Sequence, residues 1–180
     1  NGKPFFYLAD TCWSAFTNIK DNDWDYYLDY RKSQGFNTLQ INILPQWDAS
    51  ATDLCYEPFE VIDGKYNYKK LNLSYFEHAD KMCARAKEKG FELALVIMWC
   101  NFVPDTWASQ FYSKGIMPID CIDNYINIIH ETFTKYEPLY IISGDTDFNT
   151  EQCIEYYVKC AKQIKELAPN CLYTTHIKGR

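Results

Sequence analysis

Five short, almost continuously apolar stretches alternate with four amphipathic ones along this chain, and that alternation constrains the fold more than any other feature. The apolar runs are PFFYLAD, ending at Asp10, then NTLQINIL, ELALVIMW, LYIIS and CLYTTH. The segments between them have helical spacing. The first runs from about Asp23, with Asn22 as its cap, Trp24, Tyr27, Leu28 and Arg31 on one stripe, and Gly35 as its stop. The second opens on Ser74 and Glu77 as a capping box, carries Phe76, Ala79, Cys83 and Ala86 inward, and closes at Gly90. The third runs from about Asp120, with Ile122, Tyr125, Ile126, Ile129 and Phe133 inward, and ends before Pro138. The fourth starts at Asn149 and Gln152, lines Ile154, Tyr157, Val158, Ala161 and Ile164 along one face, and stops at Pro169. Strands apolar on both faces, separated by such helices, predict an α/β fold with a parallel sheet built from right-handed βαβ units.

Two parallel architectures fit five strands and four helices. A doubly wound sheet is one, but the Gly-rich phosphate loop that many such sheets carry after the first strand is missing. The strand exits instead carry Asp10, Trp47, Trp99, Asp145 and His176. Polar and aromatic groups gathered at strand exits are the pattern of a (β/α)8 TIM barrel, whose active site lies at the C-terminal ends of its strands. Such a barrel takes about 250 residues, so the 180 residues here are expected to form the N-terminal portion of one barrel domain, about its first five β/α units.

Composition narrows the partners. A formal net charge of −6 with interspersed signs offers no basic footprint for nucleic acid or an anionic membrane surface. The apolar runs fall short of the roughly 20 residues of a membrane helix. Eight cysteines, irregularly spaced and without a CxxC, read as buried thiols rather than a disulfide framework, which favours a reducing, cytoplasmic setting, although a leader or domain ahead of Asn1 would leave no trace. No HExxH, paired-His or Cys/His cluster offers a metal site, and no GxSxG or GxxxxGK[ST] offers a nucleophile elbow or a phosphate loop. No cofactor is implied, small neutral ligands remain open, and the oligomeric state is not written in the pattern.

The blocks GKPFFYLADTCW, YRKSQGFNTLQINIL, PLYIISGD and LYTTHIKG, in that order and spacing, resemble the successive blocks of the apiosidase-like glycoside hydrolase family, formerly a domain of unknown function. Ala9 stands where that family usually has glycine before the Asp-Thr pair, and Ser143 where the block ahead of the aspartate usually reads Gly-Gly. The resemblance implies a TIM barrel that acts on plant cell-wall glycans, including removal of apiose from pectin.

Glycoside hydrolysis usually uses two carboxyl groups flanking the scissile bond, one of them protonated. Asp145, following Gly144 at the end of the fourth apolar run, is the candidate general acid, set against a helix-capping or hydrogen-bonding role. The second carboxylate is expected beyond Arg180. Asp147 is a weaker candidate for substrate contact. Asp10 and Thr11 are candidates to bind sugar hydroxyls, Trp13, Trp47 and Trp99 to stack on sugar rings, and His176 to touch ligand or orient the acid. Gln40 and Asn42 share one side of their strand and are expected to point into the barrel, whereas His78 and His130 lie within helices as structural residues. The rival reading is a non-catalytic glycan-binding module of barrel origin, with the aromatic mouth but no second carboxylate.

Overall fold

The computed structural model describes residues 4–47 and 56–179. In chain order the elements are β1 (Ala9–Thr11), α1 (Ala15–Asn18), α2 (Asp21–Ser33), β2 (Thr38–Asn42), β3 (Phe59–Ile62), β4 (Lys65–Leu71), α3 (Leu73–Glu88), β5 (Glu92–Trp99), α4 (Ile122–Phe133), β6 (Leu139–Gly144), α5 (Glu151–Leu167) and β7 (Leu172–Thr174). Five strands form one sheet in the order β1-β2-β5-β6-β7, every pair parallel. Sequential order excludes the 2-1-3-4-5 arrangement of a doubly wound sheet and matches consecutive units of a barrel.

The period of two along each strand separates the sheet's faces. Leu39, Ile41, Leu93, Leu95, Ile97, Tyr140 and Ile142 join the main core with Leu28, Phe76, Ile126, Ile129 and Ile164 from the helices. Burying each such aliphatic side chain contributes about 1.5–3 kcal/mol. The alternate residues Ala94, Val96 and Ile141 belong to a separate cluster with Trp99, Cys100 and Ala108, so the opposite, concave face has its own small core.

Several local expectations need correction. PFFYLAD is not a core strand: only Ala9–Thr11 pairs, and Phe5 and Phe6 are 57% and 78% exposed. The segment is held instead by Asn37, whose Oδ1 accepts from Leu8 N (3.1 Å) and whose Nδ2 donates to the Phe6 carbonyl (2.6 Å). An apolar run reports affinity for a covered position, and an edge strand has a neighbour on one side only. Asn22 is not a cap, because α2 already begins at Asp21 after Lys20. The Ser74–Glu77 capping box does not form. Asn72 occupies the N-cap of α3, and Ser74 Oγ donates to Asn72 Oδ1 (2.7 Å). Thr150, not Asn149, caps α5, accepting from Cys153 N at 3.1 Å. CLYTTH pairs only through Leu172–Thr174, so His176 lies just past the strand.

The β3–β4 hairpin was not anticipated. Its two-residue turn places Asp63 and Gly64 at φ 48° and 76°, the left-handed conformations an Asp-Gly hairpin turn requires. Phe59 packs 4.9 Å from Tyr68 and 5.3 Å from Tyr66. Tyr66 N donates to the Lys114 carbonyl (3.2 Å) and Lys114 Nζ pairs with Glu57 (3.1 Å), so the hairpin braces the loop that follows β5.

The seven described cysteines are free thiols, and Cys55 lies outside the described residues. Burial pushes the thiols of Cys12, Cys100 and Cys160 up to about 12, which makes them poor nucleophiles. Among the described residues no helix is long and apolar enough to cross a membrane.

Candidate active site

Strand β6 delivers Asp145 to the C-terminal end of the sheet. A Cβ on Gly144 would stand 2.1 Å from Cε3 of Trp99, so the glycine is required because an indole lies flat against it. Asp145 follows at φ 55°, half-buried, and its backbone carbonyl accepts from Trp107 Nε1 at 2.9 Å. Its carboxylate has no hydrogen-bond or ion-pair partner among the described residues, and its negative charge adds to the upward push that burial gives the Cys100 thiol. The acid is therefore positioned by its backbone while its carboxylate remains unengaged.

Three rings gather beside it. Trp13 lies 5.2 Å from Trp99 and 5.9 Å from His176, with which it stacks, and Trp99 meets His176 edge-on at 5.6 Å. His176 N donates to the Ser143 carbonyl (3.2 Å), and Ser143 Oγ donates back to the His176 carbonyl (3.3 Å). The Ser143 hydroxyl thus helps to fix the histidine's backbone. A second pair, Trp47 and Trp107, crosses edge to face at 5.3 Å, with Phe111 6.5 Å from Trp47. Trp13, Trp47 and Trp107 all pack on the concave-face cluster that contains Trp99. One end of the sheet thus collects Trp13, Trp47, Trp99, Trp107, Asp145 and His176.

Several polar atoms at this end are buried without partners among the described residues: both amide atoms of Asn42, Trp99 Nε1 and His176 Nδ1. Asn42 is 1% exposed and Trp99 3%. Gln40, on the same side of β2 as Asn42, donates to Tyr7 Oη (2.8 Å).

Asp10 does not join the group. It stands in register with Leu39, on the helix side, where Tyr27 Oη donates to it and Arg31 Nε lies 2.5 Å away. Alternation decides this: Thr11, the next residue, pairs with Gln40 and is exposed toward the concave side. The expectation that Asp10 shares a concave surface with Asp145 is corrected accordingly. Asp147 is exposed and ion-paired with Lys178 at 3.3 Å. His78 stacks on Tyr56 at 3.9 Å and His130 Nδ1 lies 3.1 Å from Thr134 Oγ1, both away from the site. Among the described residues no group of three His, Cys, Asp or Glu side chains could hold a metal ion.

Trp107 is the residue the sequence reading passed over. It lies in PDTWASQF, a loop without periodicity, and its only signal is a tryptophan shortly after a strand exit.

Residues 1–180 match the model of the apiosidase-like catalytic domain. Among solved structures, a glycoside hydrolase family 5 protein from Bacteroides vulgatus superimposes with a TM-score of 0.77 at 24% identity, over 100% of this chain and 37% of that one. Another, described as a glycoside hydrolase, gives 0.76 at 25% identity over 99% and 38%. An endo-1,4-beta-D-mannanase from Thermotoga petrophila gives 0.61 at 18% identity over 97% and 56%. The chain thus spans well under two thirds of the length of each of these proteins. No curated protein is similar enough in sequence to match.

Proposed function

Since this chain belongs to the apiosidase-like catalytic-domain family, we propose that its protein is a glycoside hydrolase acting on plant-type oligosaccharides or pectin side chains, with Asp145 as general acid. The observation that carries the reading is the Asp145 carboxylate, half-buried at the strand-exit end among aromatic rings and free of hydrogen-bond and ion-pair partners among the described residues. A carboxyl that serves only the fold is normally engaged, as Asp10 is by Tyr27 and Arg31.

In the proposed reaction Asp145 gives its proton to the glycosidic oxygen as the bond to the anomeric carbon breaks and its electron pair moves to that oxygen. Water finally supplies the hydroxyl at the anomeric carbon. The opposing carboxylate is assigned to a later strand, because Asp10 faces the helices and Asp147 is paired with Lys178. Trp13 and His176, backed by the buried Trp99, form the wall against which the glycosyl unit stacks.

The test is Asp145→Asn in the full-length protein, assayed on pectic oligosaccharides. Loss of general acid help is expected to lower kcat by about 10²–10⁴, least for aryl glycosides whose leaving group needs no proton. Wild-type rates on the natural glycan would remove Asp145 from the mechanism.

A further inference from the structure

Asp145 is held from both sides along the chain. Before it, Gly144 is pinned beneath the Trp99 indole, where a Cβ would meet Cε3 at 2.1 Å. After it, Thr146 is 1% exposed and forms a parallel bridge with Ile177, its carbonyl accepting from Lys178 N at 3.1 Å. Thr146 Oγ1 also accepts from Phe148 N at 3.3 Å. Between these fixed neighbours Asp145 stands at φ 55°, in the left-handed region that residues with a Cβ enter at a cost. Such a conformation persists where the surroundings over-determine it, and it is concentrated at functional sites.

A contact from the loop after β5 completes the hold. Trp107 donates from Nε1 to the Asp145 carbonyl at 2.9 Å, across 38 positions of sequence. The carbonyl belongs to the same residue as the acid, so fixing its direction leaves the Cα–Cβ bond little freedom to turn. Hydrogen bonds to a carboxylate's own oxygens would orient it too, but they engage the lone pairs and the proton that the reaction uses. A hold on the backbone leaves both oxygens free, as they are here among the described residues.

Trp107 is itself firmly seated. Thr106 Oγ1 donates to the Cys100 carbonyl at 2.6 Å and accepts from Ser109 N at 3.3 Å, and Ser109 Oγ donates back to the Thr106 carbonyl at 2.8 Å. Ala108, beside it, is fully buried, and the indole crosses Trp47 edge to face at 5.3 Å. The β3–β4 hairpin adds a restraint at the far end of the same loop, through Tyr66 N to the Lys114 carbonyl and through the Lys114–Glu57 pair. The indole N–H is therefore a fixed donor.

We infer that Trp107 is a positioning residue for the reaction: its indole N–H holds the Asp145 backbone in the left-handed conformation from which the carboxyl meets the glycosidic oxygen. The inference rests on Asp145 being the acid. Trp107 acts through Asp145 and not through the glycan, so its loss harms only those substrates whose departing oxygen needs a proton. A misplacement of about 1 Å in a reacting group can cost about 10²-fold in rate. A sugar platform would behave otherwise, weakening substrates through KM whatever their leaving group.

The experiment uses the full-length protein with Trp107→Phe and, separately, Trp107→benzothienylalanine, which keeps the bicyclic shape and lacks only the N–H. Melting curves verify the fold of each. Both are assayed on a pectic oligosaccharide and on the 2,4-dinitrophenyl glycoside of the sugar it releases, whose leaving group departs without a proton. On the oligosaccharide kcat/KM is expected to fall about 10- to 100-fold, carried by kcat, with a change within about twofold on the dinitrophenyl glycoside. In an Asp145→Asn background the same replacements are expected to cost nothing further, since residues that act as one unit are non-additive. An equal loss on both substrates, no loss on either, or a loss that persists beside Asp145→Asn overturns the inference and leaves the acid standing. An Asp145→Asn protein without a leaving-group-dependent loss overturns the acid, and the inference with it.

Discussion

The two faces of the sheet differ in where their unmatched polar groups fall. Where helices meet it, several buried polar tips are matched: Tyr125 Oη donates to the Ile97 carbonyl at 2.5 Å, Trp24 Nε1 to the Met82 carbonyl at 3.1 Å, and Tyr75 Oη to the Ile43 carbonyl, while Tyr157 Oη and His78 Nε2 are not. At the strand-exit end of the concave face, Asn42, Trp99 and His176 carry buried polar atoms without partners among the described residues, and Asp145 has an unengaged carboxylate. An unmatched buried group costs about 1–3 kcal/mol, so natural folds keep few of them. On the concave face these unmatched groups lie at the end of the sheet that carries Asp145.

If that division holds, the largest effect on stability belongs to the helix side. Ile41→Ala, at a fully buried position of β2, is expected to lower unfolding free energy by about 2–5 kcal/mol in denaturant titration. A cost equal to that of Val96→Ala, about 1.5 kcal/mol for two methyl groups on the concave side, would erase the distinction. Next comes Gly144→Ala. The new methyl overlaps the Trp99 indole, so a loss of about 1–3 kcal/mol is expected, with a changed near-ultraviolet tryptophan signal as the ring moves. Retention of both wild-type values would mean that the ring does not rest on Gly144.

Asn42→Leu sharpens the contrast most directly. Removing an amide that has no partner among the described residues is expected to change stability by less than about 0.5 kcal/mol or to raise it. A large destabilisation would show that the amide serves the fold.

The smallest effect concerns His78, one of the helix-side groups whose polar atom, here Nε2, is buried without a partner. Burial lowers its pKa below the ordinary histidine value, against the opposing pull of Asp21 at 3.6 Å. A depressed pKa means that the fold prefers the neutral ring. The associated stability is present above the unfolded value of about 6.5 and is lost as pH falls through the lower folded value. An NMR titration of the ring protons that placed its pKa above the unfolded value would reverse the sign.

How far the sequence reached follows the same division. The helix face was legible because Leu39, Ile41, Ile126 and Ile129 repeat with the periods of their elements, and periodicity reports burial against a regular neighbour. The strand-exit ends were legible as places, since Asp145 and His176 follow apolar runs. Asp10 was misplaced because the side to which a strand's last residue points depends on register, which composition does not specify. Trp107 was missed because loops have no period. The β3–β4 hairpin was missed although VIDGKY carries the Asp-Gly turn signal, because the mostly polar β4 run KYNYKKL lacks the apolar character of the parallel strands.

The ion pair of Asp10 with Arg31 also has a part in how the chain finds its arrangement. β1 is three residues long and pairs on one side only, a length at which sliding by one residue sacrifices little. Such a slip would carry Asp10 to the concave side, away from Arg31 and Tyr27, and turn Thr11 toward the helices. Asn37, by grasping Leu8 and Phe6 from below, resists the same slip from the other end. The carboxylate that takes no part in the candidate site acts as its alignment mark, favouring the register in which Thr11, not Asp10, faces the concave side.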